Sequence, residues 1–287
     1  MTLVVALVLL TAVTAATCAL PGVFLVVRRQ SMLIDAISHA VFPGIVIGAL
    51  CSGSTHSVSM VVIASGLGVL VAVAAEWLRH ARLASADAGQ ALVFPALFAV
   101  GVWLMSTQLS GVHLSERVVL SGELNLLALR SERLVVAGLD LGPQAMWWLL
   151  PVLLVDGAFV VGAFRVLEVA SFDPMLAATS GMPVRRVQLA LMVLTSLTIV
   201  AAFQAVGSIL VVALMALPAA MARLLVQRLR VMCLLAPLIA VATAMAGLAV
   251  ATSADLATAP TIALVEGVAF VALVLVRTLR RVVRRRS

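Results

Sequence analysis

Long uninterrupted apolar runs dominate this chain and determine its fold class. We find nine such segments, at residues 2–27, 32–51, 57–78, 87–108, 143–165, 187–205, 207–226, 231–252 and 257–276. Roughly 20 apolar residues are needed for a helix to cross the hydrocarbon core of a bilayer. The segments are continuous and lack the alternating pattern of membrane β-barrel strands. The sequence therefore predicts an all-α, polytopic bundle of transmembrane helices with eight or nine spans.

The composition excludes a water-soluble protein. Of 287 residues, 64% are hydrophobic and 11% are charged, and the mean hydropathy is +1.22, whereas soluble domains carry about 25% charged residues. We expect one transmembrane domain over residues 1–287. The chain has no Walker A, GxSxG or HExxH motif, so we expect no enzyme activity in it. Its first apolar run lacks a basic leader and is too long for a signal peptide, which predicts a first span.

The positive charges indicate the orientation of the helices. All 19 basic residues are Arg and the formal net charge is +7. Arg clusters follow the first, third, fifth, seventh and ninth segments, so alternating spans place them on one side. The positive-inside rule makes that side the cytoplasm, with the C-terminus inside. Residues 109–142 are an exception, since this outer loop contains three Arg. We expect the tail at 277–286 to contact anionic membrane lipid and not nucleic acid.

The second segment contains the strongest candidate site. Asp35 and His39 are four residues apart, so a helix presents both side chains on one face, about 5–6 Å apart at Cβ. A carboxylate and an imidazole provide part of a coordination shell for a divalent transition metal. Pro43 and Gly44 are expected to break or bend this helix, which could keep the segment from crossing fully. As alternatives, the two side chains pair only with each other, or Asp35 caps the segment near the membrane surface.

The loop after the fifth segment predicts a short capped helix. Asp173 is a typical N-cap and Pro174 a typical first helical residue. The helix is expected over 175–180, with Gly181 just beyond its end. On the Arg-rich side, such a helix suits docking to a cytoplasmic partner, although a simple interfacial connector would look the same.

Several other features are less specific. In the stretch 204–223, small residues and Pro218 favour close packing and a kink, and residues 118–125 could form a short gate helix. Two histidines, His56 and His113, lie at the expected outer surface, where they could contact an entering metal or a delivery protein. Asp156 and Glu266 are isolated acids within spans, where they belong either to a pathway or to the bundle interior.

Together these stretches resemble the permease subunits of bacterial ABC importers for zinc, manganese and iron. The resemblance rests on four stretches in family order: Arg28–Gly44 (RRQSMLIDAISHAVFPG), Val119–Leu124, Ala170–Gly181 (ASFDPMLAATSG) and Gln204–Arg223 (QAVGSILVVALMALPAAMAR). It implies that Asp35 and His39 line the metal path. It also implies that residues 171–181, with Phe172, Asp173, Pro174, Ala177 and Gly181, form the coupling helix that contacts the ATPase.

The resemblance further implies the partners and the cargo. We expect a separate cytoplasmic ATPase that binds ATP, an extracytoplasmic metal-binding protein, and a second permease that is a second copy or a paralogue. Mn²⁺, Zn²⁺ or Fe²⁺ would be transported, with no permanent cofactor, across the bacterial inner membrane. Two alternatives are a proton-coupled secondary metal transporter and an ABC permease for a metal chelate. The loop at 171–181 argues against the first, and the 5% aromatic content with no Tyr argues against the second.

Overall fold

The computed structural model describes residues 3–52, 58–81, 86–108, 133–136 and 139–286. In these ranges each of the nine apolar segments is helical, which confirms the all-α class. The helices are α1 Leu3–Val27, α2 Ser31–Ser52, α3 Val58–His80, α4 Ala86–Gln108, α5 Gln144–Phe172, α6 Pro174–Thr179, α7 Val184–Leu225, α8 Leu229–Ser253 and α9 Thr258–Arg286. A small antiparallel hairpin of β1 (Arg133–Val136) and β2 (Leu139–Pro143) precedes α5.

The helices are long and apolar enough for a multi-pass membrane protein. Within the described ranges, seven of them meet the length and hydropathy of a membrane span, namely α1, α2, α3, α5, α7, α8 and α9. In α4 the apolar part is shorter, at Pro95–Thr107. The four Trp side chains (77, 103, 147 and 148) are exposed and lie near helix ends, as in the aromatic belts at membrane interfaces.

Helix α7 is a hairpin of two helical arms. A straight helix would hold Leu191 and Ala219 about 42 Å apart at 1.5 Å per residue, yet both belong to one buried cluster with Phe24 of α1. The backbone of α7 leaves the helical region at Gly207, with φ 77° and ψ 169°. The arms 184–206 (α7a) and 208–225 (α7b) therefore fold back on each other. With the two arms counted separately, the seven candidate spans of the described ranges become eight, and the shorter apolar helix α4 is the ninth.

This hairpin corrects one expectation from the sequence. We expected a kink at Pro218, but the helix continues through this residue to Leu225. The change of direction occurs at Gly207, because its conformation is essentially restricted to glycine. The expected boundary between segments 187–205 and 207–226 coincides with this residue.

Helix α7 lies at the centre of the bundle and joins two groups of helices. On one side α1 packs against α5, α7 and α8; on the other, α2 packs against α3, α4 and α7, and α9 covers α7 and α8. Helices α2 and α7 are mostly buried, while α5 and α9 are mostly exposed. Neighbouring helices therefore contact α2 on several sides and fix the positions of its residues.

Candidate metal site and coupling segment

The Asp35–His39 pair lies on an open face of an otherwise buried helix. Ile34, Ile37 and Val41 of α2 are buried in the main apolar core. Asp35 and His39 point away from that core, with side chains 51% and 32% exposed. The Asp35 Oδ1 and His39 Nε2 atoms are 3.4 Å apart. The spacing in sequence thus predicts the juxtaposition correctly, and the burial of the opposite face explains why the pair is presented outward.

Helix α4 forms one wall of the site. The ring of Phe98 meets the His39 imidazole edge-on, with ring centroids 6.0 Å apart, and it also packs against Phe42 at 5.3 Å. A Cβ added at Gly101 of α4 would lie 2.7 Å from Cβ of Pro43. The absence of a side chain at this glycine therefore lets α4 approach α2 closely enough for Phe98 to hold the imidazole.

Pro43 and Gly44 do not break α2. The helix is continuous from Ser31 to Ser52, and its apolar part is long enough to cross a membrane. A Cβ at Gly44 would lie 2.4 Å from Cα of Ala64 on α3. The Pro-Gly pair therefore serves the close packing of α2 against α3 and α4, in place of the expected break.

The pair offers one oxygen and one nitrogen ligand and leaves room for others. A carboxylate and an imidazole suit manganese, iron and zinc alike. In the described part of the chain, no group of three or more His, Cys, Asp or Glu side chains could hold a metal ion. A complete coordination shell would therefore need water or donors from outside these residues. His56 and His113 lie outside the described residues.

The two acids within spans occupy separate buried positions. Asp156 of α5 and Glu266 of α9 are 2% and 0% exposed. The hydroxyl of Thr198 donates to Asp156 Oδ2 at 2.7 Å, and that of Thr243 donates to Glu266 Oε1 at 3.0 Å. Neither acid joins the Asp35–His39 pair in a shared cluster. Both belong to the bundle interior, and sequence reasoning did not identify their threonine partners.

The short helix α6 has the expected caps. Asp173 Oδ1 accepts a hydrogen bond from the backbone N–H of Leu176 at 2.9 Å, with Pro174 in the first turn. Gly181 takes a left-handed conformation with φ 70°, and the N–H of Met182 donates to the carbonyl of Ala177, as in a Schellman ending. The helix covers Pro174–Thr179, one residue earlier at each end than the expected 175–180, and α5 extends to Phe172, seven residues past 165.

Helix α6 presents an apolar surface away from the bundle. Met175 and Leu176 of α6 and the adjacent Phe172, the last residue of α5, are exposed, whereas Ala177 is fully buried against the protein. The cap at Asp173 fixes the start of this helix, and the buried Ala177 fixes which face is turned outward. An exposed apolar surface of this kind is suited to a protein partner.

Arginines gather at the same end of the bundle. Arg28, at the end of α1, donates from Nε to Ser171 Oγ at 3.0 Å. Arg223 of α7b donates from Nη1 to the carbonyl of Val26 at 2.8 Å, and Arg230 lies 5.3 Å above the Phe164 ring. This Arg-rich end therefore contains the α1–α2 turn, the end of α7b and the start of α6. Desolvation lowers the pKa of Arg28, although a guanidinium stays protonated in proteins.

Comparisons with known proteins place this chain in a family. The family model described as the ABC 3 transport family matches residues 1–277. The chain belongs to the ABC 3 transport family. This confirms the resemblance to ABC permeases of metal transport systems that the sequence motifs indicated.

Three relatives are named as membrane proteins of metal transport systems. The chain is 37% identical to the manganese transport system membrane protein MntD of Bacillus subtilis, over 88% of this chain and 85% of the relative. It is 37% identical to the zinc transport system membrane protein TroD of Treponema pallidum, over 97% and 75%. It is 33% identical to the chelated iron transport system membrane protein YfeD of Yersinia pestis, over 90% and 80%.

A solved structure shares the fold. The structure titled "PsaBC from Streptococcus pneumoniae in complex with Fab" matches with a TM-score of 0.77 and 26% sequence identity, covering 95% of this chain and 91% of that chain. The nearly complete coverage means that the helical arrangement around α7 is shared as a whole.

Proposed function

We propose that this protein is the permease subunit of an ATP-driven importer for a divalent transition metal ion. The Asp35–His39 pair is the observation that carries the proposal, because it is a mixed oxygen and nitrogen donor set on an open face of a membrane helix. The named relatives belong to manganese, zinc and chelated-iron transport systems, and these metals accept such donors.

The geometry suits transient binding. Two ligands from one chain hold a metal weakly, and a transport site must release its cargo. His39 lies about 12 Å along α2 from its first residue at 1.5 Å per residue. The pair would therefore lie within the membrane, in the half nearer the Arg-rich end of the bundle. A second permease, as a copy or a paralogue, could face this one and supply further ligands. Metal binding requires a neutral imidazole, so protons compete with the metal at His39.

The Arg-rich end would face the cytoplasm by the positive-inside rule. There the exposed surface of α6 would contact the ATPase, whose binding and hydrolysis of ATP would switch the permease between outward-open and inward-open states. The ion would be delivered at the opposite end by an extracytoplasmic metal-binding protein. The basic end of α9 would contact anionic lipid of the inner membrane.

The test is the metal content of cells that express the permease with its neighbouring ATPase and binding protein. We expect one metal to accumulate with the wild type. His39→Ala and Asp35→Asn should lower accumulation by more than about tenfold, since even the groups that orient metal ligands contribute 10–100-fold. Ser38→Ala is the matched control, because within the described ranges the buried Ser38 hydroxyl bonds only the carbonyl of Ile34 in its own helix.

Each alternative has its own outcome in this experiment. Equal accumulation in the wild type and in both ligand variants would make the pair structural. Accumulation that persists with a catalytically inactive ATPase would indicate a proton-coupled secondary transporter. Accumulation only when the metal is supplied as a chelate would indicate a chelate permease, for which the name of the Yersinia pestis relative is a precedent.

A further inference from the structure

The turn between α1 and α2 connects the two functional segments of the chain. It occupies residues 28–30, and Arg29 takes a left-handed conformation with φ 59°. The N–H of Gln30 donates to the carbonyl of Leu25 at 2.8 Å, and the N–H of Leu33 to that of Gln30 at 3.0 Å. These backbone hydrogen bonds join the turn to the end of α1 and to the first turn of α2. A displacement of the end of α1 would therefore also displace the start of α2.

Arg28 attaches this turn to the segment that precedes α6. Its Nε donates to Ser171 Oγ at 3.0 Å, and the Ser171 hydroxyl is itself bonded to the carbonyl of Leu167. In the described residues, Arg28 Nη2 is buried without a hydrogen-bond partner, and no carboxylate lies within salt-bridge distance of the guanidinium. A partly buried cation with one neutral acceptor costs folding free energy, so stability alone does not account for this contact.

The contact shortens the path between α6 and the metal pair. Ser171 is two residues before the cap Asp173, and Arg28 is seven residues before Asp35. Helix α6 packs on α5 and α7, while α2 packs mainly on α3, α4 and α7. In the described structure, α6 is thus connected to α2 through α7, and through α5 and the end of α1, where Ser171 bonds Arg28.

The second route also includes the end of the α7 hairpin. Arg223 Nη1 donates to the carbonyl of Val26, two residues before Arg28. The last turn of α1 is therefore held from α5 and from α7b at once. A movement of α6 that displaces the end of α5 would act on this turn through the Arg28–Ser171 hydrogen bond, beside the apolar cluster that the end of α1 shares with Leu167 of α5.

We propose that Arg28 is a positioning residue that couples α6 to the metal-binding helix α2 through its hydrogen bond to Ser171. This inference rests on the proposed function, since it assigns a route by which the conformational change of the ATPase reaches Asp35 and His39. Arg28 touches neither the metal nor the ATPase in this role. Its contribution lies in the number of ions moved for each ATP consumed.

The experiment measures metal ions transported per ATP hydrolysed by the complete complex in liposomes, with Mn²⁺ or Zn²⁺ and the loaded binding protein. Ser171→Ala removes the acceptor and leaves Arg28 in place; Arg28→Met removes the charge and the Nε donor and keeps an unbranched side chain. We expect either substitution to lower the ratio by about two- to thirtyfold, the range of single-residue effects on coupling between sites. The double variant should be no worse than the single variants, because both remove one contact.

Arg29→Asn is the matched control. It removes the neighbouring charge, its side chain is exposed, and asparagine tolerates the left-handed backbone at this position. This variant should keep the wild-type ratio. If Arg28→Met does not fold, the milder Ser171→Ala still decides the question.

An unchanged ratio in Ser171→Ala and Arg28→Met would overturn the inference while the wild type transports metal. This holds whether both rates stay at the wild-type level or fall in proportion, because a purely structural role lowers both together. A wild-type complex that moves no metal with ATP would instead contradict the proposed function.

Discussion

At the scale of single residues, the buried acids show how polar groups are accommodated in this apolar bundle. Asp156 and Glu266 each accept one hydrogen bond from a threonine on a neighbouring helix, and each leaves its second carboxyl oxygen buried without a partner in the described residues. A polar group inside a membrane protein usually faces the bundle interior and bonds another helix. These two bonds therefore join α5 to α7a and α8 to α9.

Removing the Thr198 hydroxyl should weaken this junction. Thr198→Val leaves both oxygens of Asp156 unpartnered, and a buried unsatisfied acceptor costs about 1–3 kcal/mol. We expect a lower midpoint of thermal unfolding in detergent. Thr195→Val is the matched control on the same helix, because the buried Thr195 hydroxyl has no partner in the described structure, and it should be neutral or stabilising.

Asp156→Asn separates a structural role from a pathway role. The amide oxygen still accepts from Thr198, so we expect near wild-type stability and metal accumulation. A stable Asp156→Asn protein that has lost metal accumulation would show that the carboxylate belongs to the pathway. The same substitution logic applies to Glu266 and Thr243.

Sequence reasoning at this scale succeeds within a helix and fails between helices. The juxtaposition of Asp35 and His39 follows from their spacing alone, and so does the cap of Asp173 on Leu176. The partners Phe98, Thr198 and Ser171 could not be predicted, because helices that are apolar on all sides carry little information about their rotation. Only the packing of the whole bundle brings these side chains together.

At the scale of secondary-structure elements, Gly207 permits the fold-back of α7. The sequence predicts a boundary there, since two apolar segments meet at this position, but it does not distinguish a hairpin from a bend. The backbone at φ 77° and ψ 169° lies in a region that is essentially restricted to glycine. Because α7 is the central helix, this one residue determines the position of both arms.

Gly207→Ala should therefore destabilise the protein strongly. A side chain in this backbone region costs about 1–3 kcal/mol, and we expect less folded protein in the membrane and a lower unfolding midpoint. Gly162→Ala in α5 is the matched control, since a Cβ there meets nothing within 4 Å and alanine favours a helix. Equal stability of the two variants would mean that α7 does not depend on the conformation at Gly207.

At the scale of the whole molecule, charge and apolar surface are distributed unevenly. The Arg-rich end contains the α1–α2 turn, the end of α7b and the exposed apolar surface of α6. The bundle thus places the proposed ATPase contact at the end where the α2 metal helix begins. The grouping of the Arg clusters follows from the alternation of spans, whereas their contacts with Val26 and Ser171 required the structure.

The exposed surface of α6 should determine association with the ATPase. We expect Met175→Ser with Leu176→Ser to weaken association by about tenfold or more, since interface hot spots contribute about 2 kcal/mol or more each and tenfold corresponds to 1.4 kcal/mol. Both side chains are exposed, so the fold should be retained. Co-purification of the ATPase with the detergent-solubilised permease measures the effect.

Thr179→Ala is the matched control for this surface. The Thr179 hydroxyl bonds carbonyls of its own helix, those of Met175 and Leu176, so its loss changes little of the apolar surface. We expect full association in this control and binding of metal to the Asp35–His39 pair in every variant. Undiminished ATPase association in the double variant would contradict the coupling role of α6. The Arg28–Ser171 contact would then have no movement of α6 to couple to α2.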